Sequence, residues 1–437
     1  MGRYQLRCLE CNHIVEDHYT LGCHDNALLR TEYAKRTLTL KNLPGIWQFH
    51  DWLPVSGSMG SGDAPVTYRS DGFAKELGLH NLYISFSGYL PERGAYIKTC
   101  SFKELESPAT LQRSIEHGNK TFAVASAGNT ARAFAQTASE AGLPLVIVIP
   151  VPCMNRLWIT NEVPDNIRVI AVDGDYYDAI MLGNRIGSIG GFRNEGGAKN
   201  VARRDGMGIV MLDAVLRMKT LPKHYFQAIG SGTGGIAAWE ASIRLIRDGR
   251  FGDQMPHLHL AQSSPFAPIF NAWSDNRNVI TPEDVPDKSR IEETYTDILS
   301  NRHPPYGIKG GVADALLKTD GQVYAIENDE ARDAKQRFES AEGVDILRPA
   351  AIAVAALCRA VDAGSIDPDD TILLNITGGG LARLKEDYSP NHLGADLVVG
   401  ANDLNDLNDL NDLNDLNRPD DPNNSTNEIL DEIMEIL

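Results

Sequence analysis

Tyr225-Phe226-Gln227-Ala228-Ile229-Gly230-Ser231-Gly232-Thr233-Gly234-Gly235-Ile236 decides the fold class. Five residues of strand character run into a glycine loop, and Ile236, Trp239 and Ile243 then recur at helical spacing. A strand–glycine loop–helix unit points bare backbone N–H groups and a helix N-terminus at an anion, most often a phosphate. Gly230, Gly232 and Gly235 also satisfy the G-x-G-x-x-G spacing of dinucleotide-binding turns. That pattern expects an acid at the end of the next strand, where the chain reads Ala261-Gln262-Ser263. A dedicated phosphate cup is therefore favoured over a dinucleotide site and over a turn without a ligand.

The same alternation extends in both directions. Thr121–Ala125, Leu145–Ile149, Ile167–Val172, Leu258–Ala261 and Ile372–Ile376 read as short buried strands. An alanine-rich helix follows Ser126-Ala127-Gly128-Asn129-Thr130, and Pro349 opens a nearly all-apolar helix to Cys358. This pattern predicts α/β architecture with open parallel sheets. Tyr33, Trp47, Phe49 and Trp52 are expected to cap a domain surface.

The chain of 437 residues carries 41 Lys+Arg and 59 Asp+Glu, a net charge of −18. Such acidity argues against a nucleic-acid surface, which needs an electropositive footprint. Residues 401–437 contribute eleven acids and one base, Arg418, so −10 lies in that tail and −8 in the rest. Asn-Asp-Leu repeats five times over residues 402–417 and reads as a low-complexity linker. Beyond it, Ser425 could cap a short acidic helix bearing Ile429, Leu430, Ile433, Ile436 and Leu437. No apolar run approaches the ~20 residues a bilayer requires, and no signal-peptide core opens the chain. With six cysteines in so long a chain, a cytoplasmic protein is expected.

Cys8, Cys11 and Cys23 cluster near the N-terminus in a ribbon-like pattern, with Asn26 where a fourth cysteine would stand. His18, His24 or Asp25 could complete a tetrahedral zinc site; a metal-free finger is the alternative.

Three further elements accompany the phosphate cup. Ser126 to Thr130 offers a helix N-terminus and the amide of Asn129, a seat for a carboxylate or phenolic oxygen. Thr377-Gly378-Gly379-Gly380 follows the last clear strand. Lys103 lies in Lys98-Thr99-Cys100-Ser101-Phe102-Lys103-Glu104 and by itself would be a surface charge. A lysine, a phosphate cup, an asparagine loop and a neutral hydroxyl together suit pyridoxal phosphate.

The order Ser-Phe-Lys, Ser-Ala-Gly-Asn-Thr, Gly-Ser-Gly-Thr-Gly-Gly, Thr-Gly-Gly-Gly resembles the fold type II (tryptophan synthase β-like) pyridoxal-phosphate enzymes, in their threonine synthase branch. The N-terminal cysteine finger and Leu28-Leu29-Arg30-Thr31-Glu32-Tyr33 fit that branch. Gly45-Ile46-Trp47, Asp51-Trp52-Leu53-Pro54, Ser101 to Glu106 and Ala202-Arg203-Arg204-Asp205-Gly206 resemble its cysteate synthase family in particular. Thr99-Cys100 departs from the Thr-Gly usual in threonine synthases.

The resemblance implies that Lys103 carries the cofactor and moves the proton at the substrate Cα. It places Asn129 at the cofactor's ring hydroxyl, Gly230, Ser231, Gly232, Thr233 and Gly234 around its phosphate, and Thr377 at the pyridine nitrogen. It implies replacement of the phosphate of O-phospho-L-serine by sulfite, giving L-cysteate for coenzyme M synthesis, by a homo-oligomer. Both substrates are small anions, and Ser126, Thr130, Lys98, Arg113, Arg132, Lys199, Arg203 and Arg204 are the candidates to hold them. Threonine synthesis from O-phosphohomoserine and water is the alternative reaction; a zinc-ribbon adaptor or an NAD-dependent oxidoreductase is the alternative from another class.

The expected domains are a finger at 1–30, a large α/β domain at 31–114 and 216–400, a small one at 115–215, and the acidic tail at 401–437.

Overall fold

The computed structural model describes residues 2–24, 26–118 and 120–401, with Glu432, Ile433, Glu435 and Ile436. The repeat at 402–417 and the cap at Ser425 lie outside the described residues. The chain divides into two compact units, Met1–His117 with Gly196–Tyr388, and Gly118–Glu195 with Ser389–Leu437.

The first unit is built on a six-stranded sheet in the order Gln322–Ile326, His257–Ser263, His224–Ala228, Thr371–Ile376, Asn81–Phe86, Val66–Arg69. All neighbours are parallel except the Val66–Arg69 edge. Its central strands are apolar on both faces because helices cover both. Tyr225 and Leu373 face a core shared with helices Ile209–Met218 and Thr233–Asp248. Their neighbours Phe226, Ile372 and Leu374 face helix Arg348–Asp362, whose residues Ala350 to Cys358 are all buried. Trp47, Phe49 and Trp52, expected at a surface, are instead interior to the first of these cores. Spacing alone does not distinguish a capping aromatic from a buried one.

At the N-terminus, Tyr4–Cys8 pairs antiparallel with Ile14–Val15 on one side and Leu29–Tyr33 on the other.

The second unit holds a five-stranded, fully parallel sheet in the order Phe192–Asn194, Thr121–Ala125, Leu145–Pro150, Ile167–Val172, Leu397–Val399. Ala123, Val146, Val148 and Ile170 form its interior with Ala179 and Leu182 of helix Tyr176–Ser188, and Ile433 is buried among them.

The division differs from the expected 115–215. Residues 196–215 go with the first unit, because helix Val201–Met207 packs on helices Ser107–Glu116 and Thr233–Asp248. Residues 389–401 go with the second, because Leu397–Val399 adds a strand to its sheet. Among the described residues no helix is long and apolar enough to cross a membrane.

Candidate active site

In the first unit, Lys103 lies in the short 3-10 turn Phe102–Leu105, where its own N–H donates to Ser101 Oγ at 3.4 Å. The turn is tied to the strand carrying Thr377 by a bond from Phe102 N–H to the Thr377 carbonyl, 3.0 Å. Lys103 Nζ is 4.8 Å from the centroid of the Phe102 ring and 3.8 Å from Glu106 Oε2, and the side chain is one-fifth exposed. Glu106 is fully buried, and its Oε1 is 3.0 Å from Arg203 Nη2. The lysine is thus reachable yet set against an apolar ring and an ion pair, surroundings unlike those of a solvated surface charge.

Cys100 adopts φ 52°, the left-handed region, and is fully buried. Such a conformation costs a non-glycine residue about 1 kcal/mol or more, and it is held here two residues from the lysine turn.

The glycine loop runs from strand His224–Ala228 into helix Thr233–Asp248. Gly232, the residue before the helix, has φ 79°, and a Cβ there would lie 2.4 Å from Val312 Cγ2. Gly232 has no side chain to cap the helix, Thr233 N–H donates to Ser231 Oγ at 3.4 Å, and a helix start of this kind suits an anion. Ser231 Oγ and Thr233 Oγ1 are 2.8 Å apart.

Beneath the loop lies a buried polar network that the sequence reading missed. Asn375 Nδ2 donates to Tyr225 Oη at 2.9 Å, and Tyr225 Oη donates to Gln227 Oε1 at 2.6 Å. The Gln227 amide underlies the loop so closely that a Cβ at Gly234 would come 2.2 Å from its Nε2. Burial pushes the Tyr225 hydroxyl pKa well up, so the phenol stays a donor. The signal was a polar residue inside each of two apolar strands, Gln227 three residues before Gly230 and Asn375 two before Thr377.

The cation candidates separate. Arg113 is fully buried and saturated, donating through Nε and Nη2 to the Asp17 carboxylate (2.9 and 2.5 Å), through Nη2 to Thr20 O and through Nη1 to Asn200 Oδ1. Arg204 is likewise fully buried, bonded to Glu240, Ala198 O and Leu29 O. These two hold the fold together and are withdrawn as substrate groups. Lys199 Nζ donates to Asn26 Oδ1 at 2.8 Å at the surface. Arg203 stands at Glu106, beside the lysine, and Lys98 is half-buried.

In the second unit, Asn129 opens helix Asn129–Ala141. Its Oδ1 accepts from Arg132 Nη2 at 2.9 Å, and that guanidinium lies 4.6 Å over the Trp158 ring. With Oδ1 taken, the Asn129 amide presents N–H donors, the polarity suited to a phenolic oxygen. Ser126 Oγ accepts from Gly128 N–H at 3.0 Å, shaping the loop, and Thr130 is buried.

Residues 58–378 match the family model for pyridoxal-phosphate dependent enzymes. A cysteate synthase of Methanocella paludicola is 56% identical over 395 residues, spanning 89% of this chain and 92% of that one. The chain belongs to the cysteate synthase family of pyridoxal-phosphate dependent enzymes. A second family member, from Methanosarcina barkeri, is 53% identical over 394 residues, 89% of this chain and 95% of that one. Among solved structures, diaminopropionate ammonia lyase of Escherichia coli superposes with a TM-score of 0.55 at 15% identity, covering 75% of this chain and 88% of that one. A fungal L-serine ammonia-lyase of Rhizomucor miehei gives 0.53 at 14% identity, covering 74% and 100%. These distant likenesses show the fold type II architecture that the cysteate synthase family shares.

The chain's residues fit the cofactor. The glycine-lined helix start has the polarity a phosphate needs, the accessible Lys103 amine the chemistry an aldehyde needs, and the Asn129 amide the donors a phenolic oxygen needs.

Proposed function

We infer that the protein replaces the phosphate of O-phospho-L-serine by sulfite, giving L-cysteate and inorganic phosphate, a step towards coenzyme M. The observation that carries this reading is identity above 50% to cysteate synthases over 89% of this chain, on a chain holding the lysine turn, the phosphate cup and the Thr377 loop in one unit.

Bound pyridoxal phosphate supplies the electron-withdrawing ring that lets the substrate Cα–H ionise. Lys103 takes that proton, the Cβ–O bond breaks with its electron pair leaving on phosphate, and a sulfite lone pair forms the Cβ–S bond. Lys103 then returns the proton to Cα, and the proton carried by bisulfite goes to the departing phosphate, so the exchange balances. The glycine loop would anchor the cofactor phosphate through backbone N–H groups, Asn129 would serve its ring oxygen as a donor, and Thr377 would offer its ring nitrogen a neutral hydroxyl. A neutral partner stabilises a protonated ring less than a carboxylate does, which favours loss of a β leaving group over transamination. Lys98, Ser126, Thr130, Arg132 and Arg203 remain the groups to hold the anionic substrates. The protein works as a homo-oligomer in the cytoplasm.

Holoenzyme given O-phosphoserine and sulfite should release cysteate and phosphate in equal amounts. Threonine from O-phosphohomoserine, with no cysteate from the first pair, would replace this reading with threonine synthesis.

A further inference from the structure

Three thiols that the chemistry above does not use sit together at the N-terminal sheet. Cys8 ends strand Tyr4–Cys8 and is buried, Cys11 lies in the exposed turn after it, and Cys23 closes a loop back onto both. Their three Sγ atoms lie within 4.8 Å of one another, and none is in a disulfide. The Cys11 and Cys23 sulfurs are 3.8 Å apart. Two thiolates held about 2.3 Å from one tetrahedral ion are separated by about 3.8 Å, so this spacing matches a shared metal.

The turn is shaped for thiolates. Asn12 takes φ 61°, and the chain closes through Cys8 N–H to His13 O (2.9 Å) and Asn12 N–H to Cys8 O (3.1 Å). Backbone N–H groups of Glu10 and Cys11 are directed at Cys8 Sγ, and that of His13 at Cys11 Sγ.

Asn26, in the place of a fourth ribbon cysteine, has its Oδ1 engaged by Lys199. His18 Nε2 is 3.5 Å from Glu16, out in solvent. His24 Nδ1, by contrast, is 3.0 Å from Cys23 Sγ; it stands outside the group formed by the three sulfurs, and its ring would turn to join them on one ion. We propose that Cys8, Cys11, Cys23 and His24 form a closed tetrahedral site for a zinc-like divalent cation. Four protein ligands leave no open position for a substrate, so the role is structural. The loop between Cys11 and Cys23 carries Asp17, whose carboxylate receives Arg113, and Arg113 also bonds Asn200. Asn200 caps helix Val201–Met207, which carries Arg203 to Glu106 beside Lys103. The ion would secure the outer end of this chain of contacts.

The test is metal analysis of the full-length holoenzyme purified from zinc-supplemented medium, then chelation and titration with Co²⁺ against a competing chelator. One ion per chain and a thiolate-to-cobalt charge-transfer band are expected. His24→Ala should weaken Co²⁺ binding at least tenfold and change its visible bands, His18→Ala should leave both unaltered, and His24→Cys should restore tight binding. Cys11→Ser should abolish the charge-transfer spectrum, with far-UV circular dichroism checking that the chain is folded. Less than a tenth of an ion per chain with no charge-transfer band would overturn the site, and an unaltered His24→Ala titration would overturn the fourth ligand.

Discussion

The N–H of Phe102 donates to the carbonyl of Thr377 across 3.0 Å, hanging the lysine turn on the end of a central strand. Two residues 275 positions apart are thereby held in register, and Lys103 inherits its place from the sheet. Immediately after Thr377, a Cβ at Gly378 would lie 2.5 Å from the Cys100 carbonyl. Gly378→Ala should push the lysine turn off its strand, lowering kcat more than tenfold with far-UV circular dichroism little altered. Steady-state kinetics with wild-type kcat would refute this dependence.

Lys103→Ala should remove both covalent attachment and proton transfer. Activity should fall by about 10³-fold or more. Borohydride treatment followed by peptide mapping should place the pyridoxyl label on Lys103 in the wild type and nowhere in the variant.

Tyr225→Phe deletes the hydroxyl that joins Asn375 to Gln227 beneath the glycine loop. Stripping a buried network of one member costs about 1–3 kcal/mol. Chemical denaturation should show that loss, and cofactor titration of the apoenzyme should show weaker binding because Gln227 underlies Gly234.

His259 is stacked 4.1 Å from Phe226 and hydrogen-bonded to His224 and Tyr324. Burial, then the charges of His224 and His257, push its pKa down to about 3. The unfolded chain, with an ordinary imidazole near 6.5, binds the proton more readily, so stability is complete above about 6.5 and drains as pH falls towards 3. His259→Gln should flatten the dependence of unfolding free energy on pH between 4 and 6.5, even if its absolute stability is lower.

Asp213 behaves oppositely. Burial raises its pKa to about 6, against hydrogen bonds from Thr67 that pull it down. The folded state holds the proton more tightly than the unfolded one, so the stability this group contributes is complete below about 3.8 and lost as pH rises through 6. Asp213→Asn should therefore gain about 2 kcal/mol at pH 7.5 relative to its effect at pH 4. Equal effects at both pH values would show that the carboxyl is not held neutral by the fold.

The linear order of residues determined the elements whose chemistry is local. A glycine loop between strand and helix, an asparagine at a helix start and a lysine in Ser-Phe-Lys are legible because each rests on neighbours within one turn of chain. Which cations serve the substrate was not legible. Arg113 meets Asp17 from 96 residues away and Arg204 meets Glu240 from 36, and only their burial shows that these guanidinium groups are consumed by the fold. Tyr225, Gln227 and Asn375 passed as ordinary strand residues until parallel pairing set them on one face of the sheet. Glu106 stands one turn from Lys103, and Arg203 joined the lysine's surroundings only when helix Val201–Met207 brought it to that carboxylate. The local pattern specified what each motif can bind. Long-range pairing and burial specified which charges remain to do it, because an ion pair's partner and its exposure to water are properties of the packed chain and of no segment by itself.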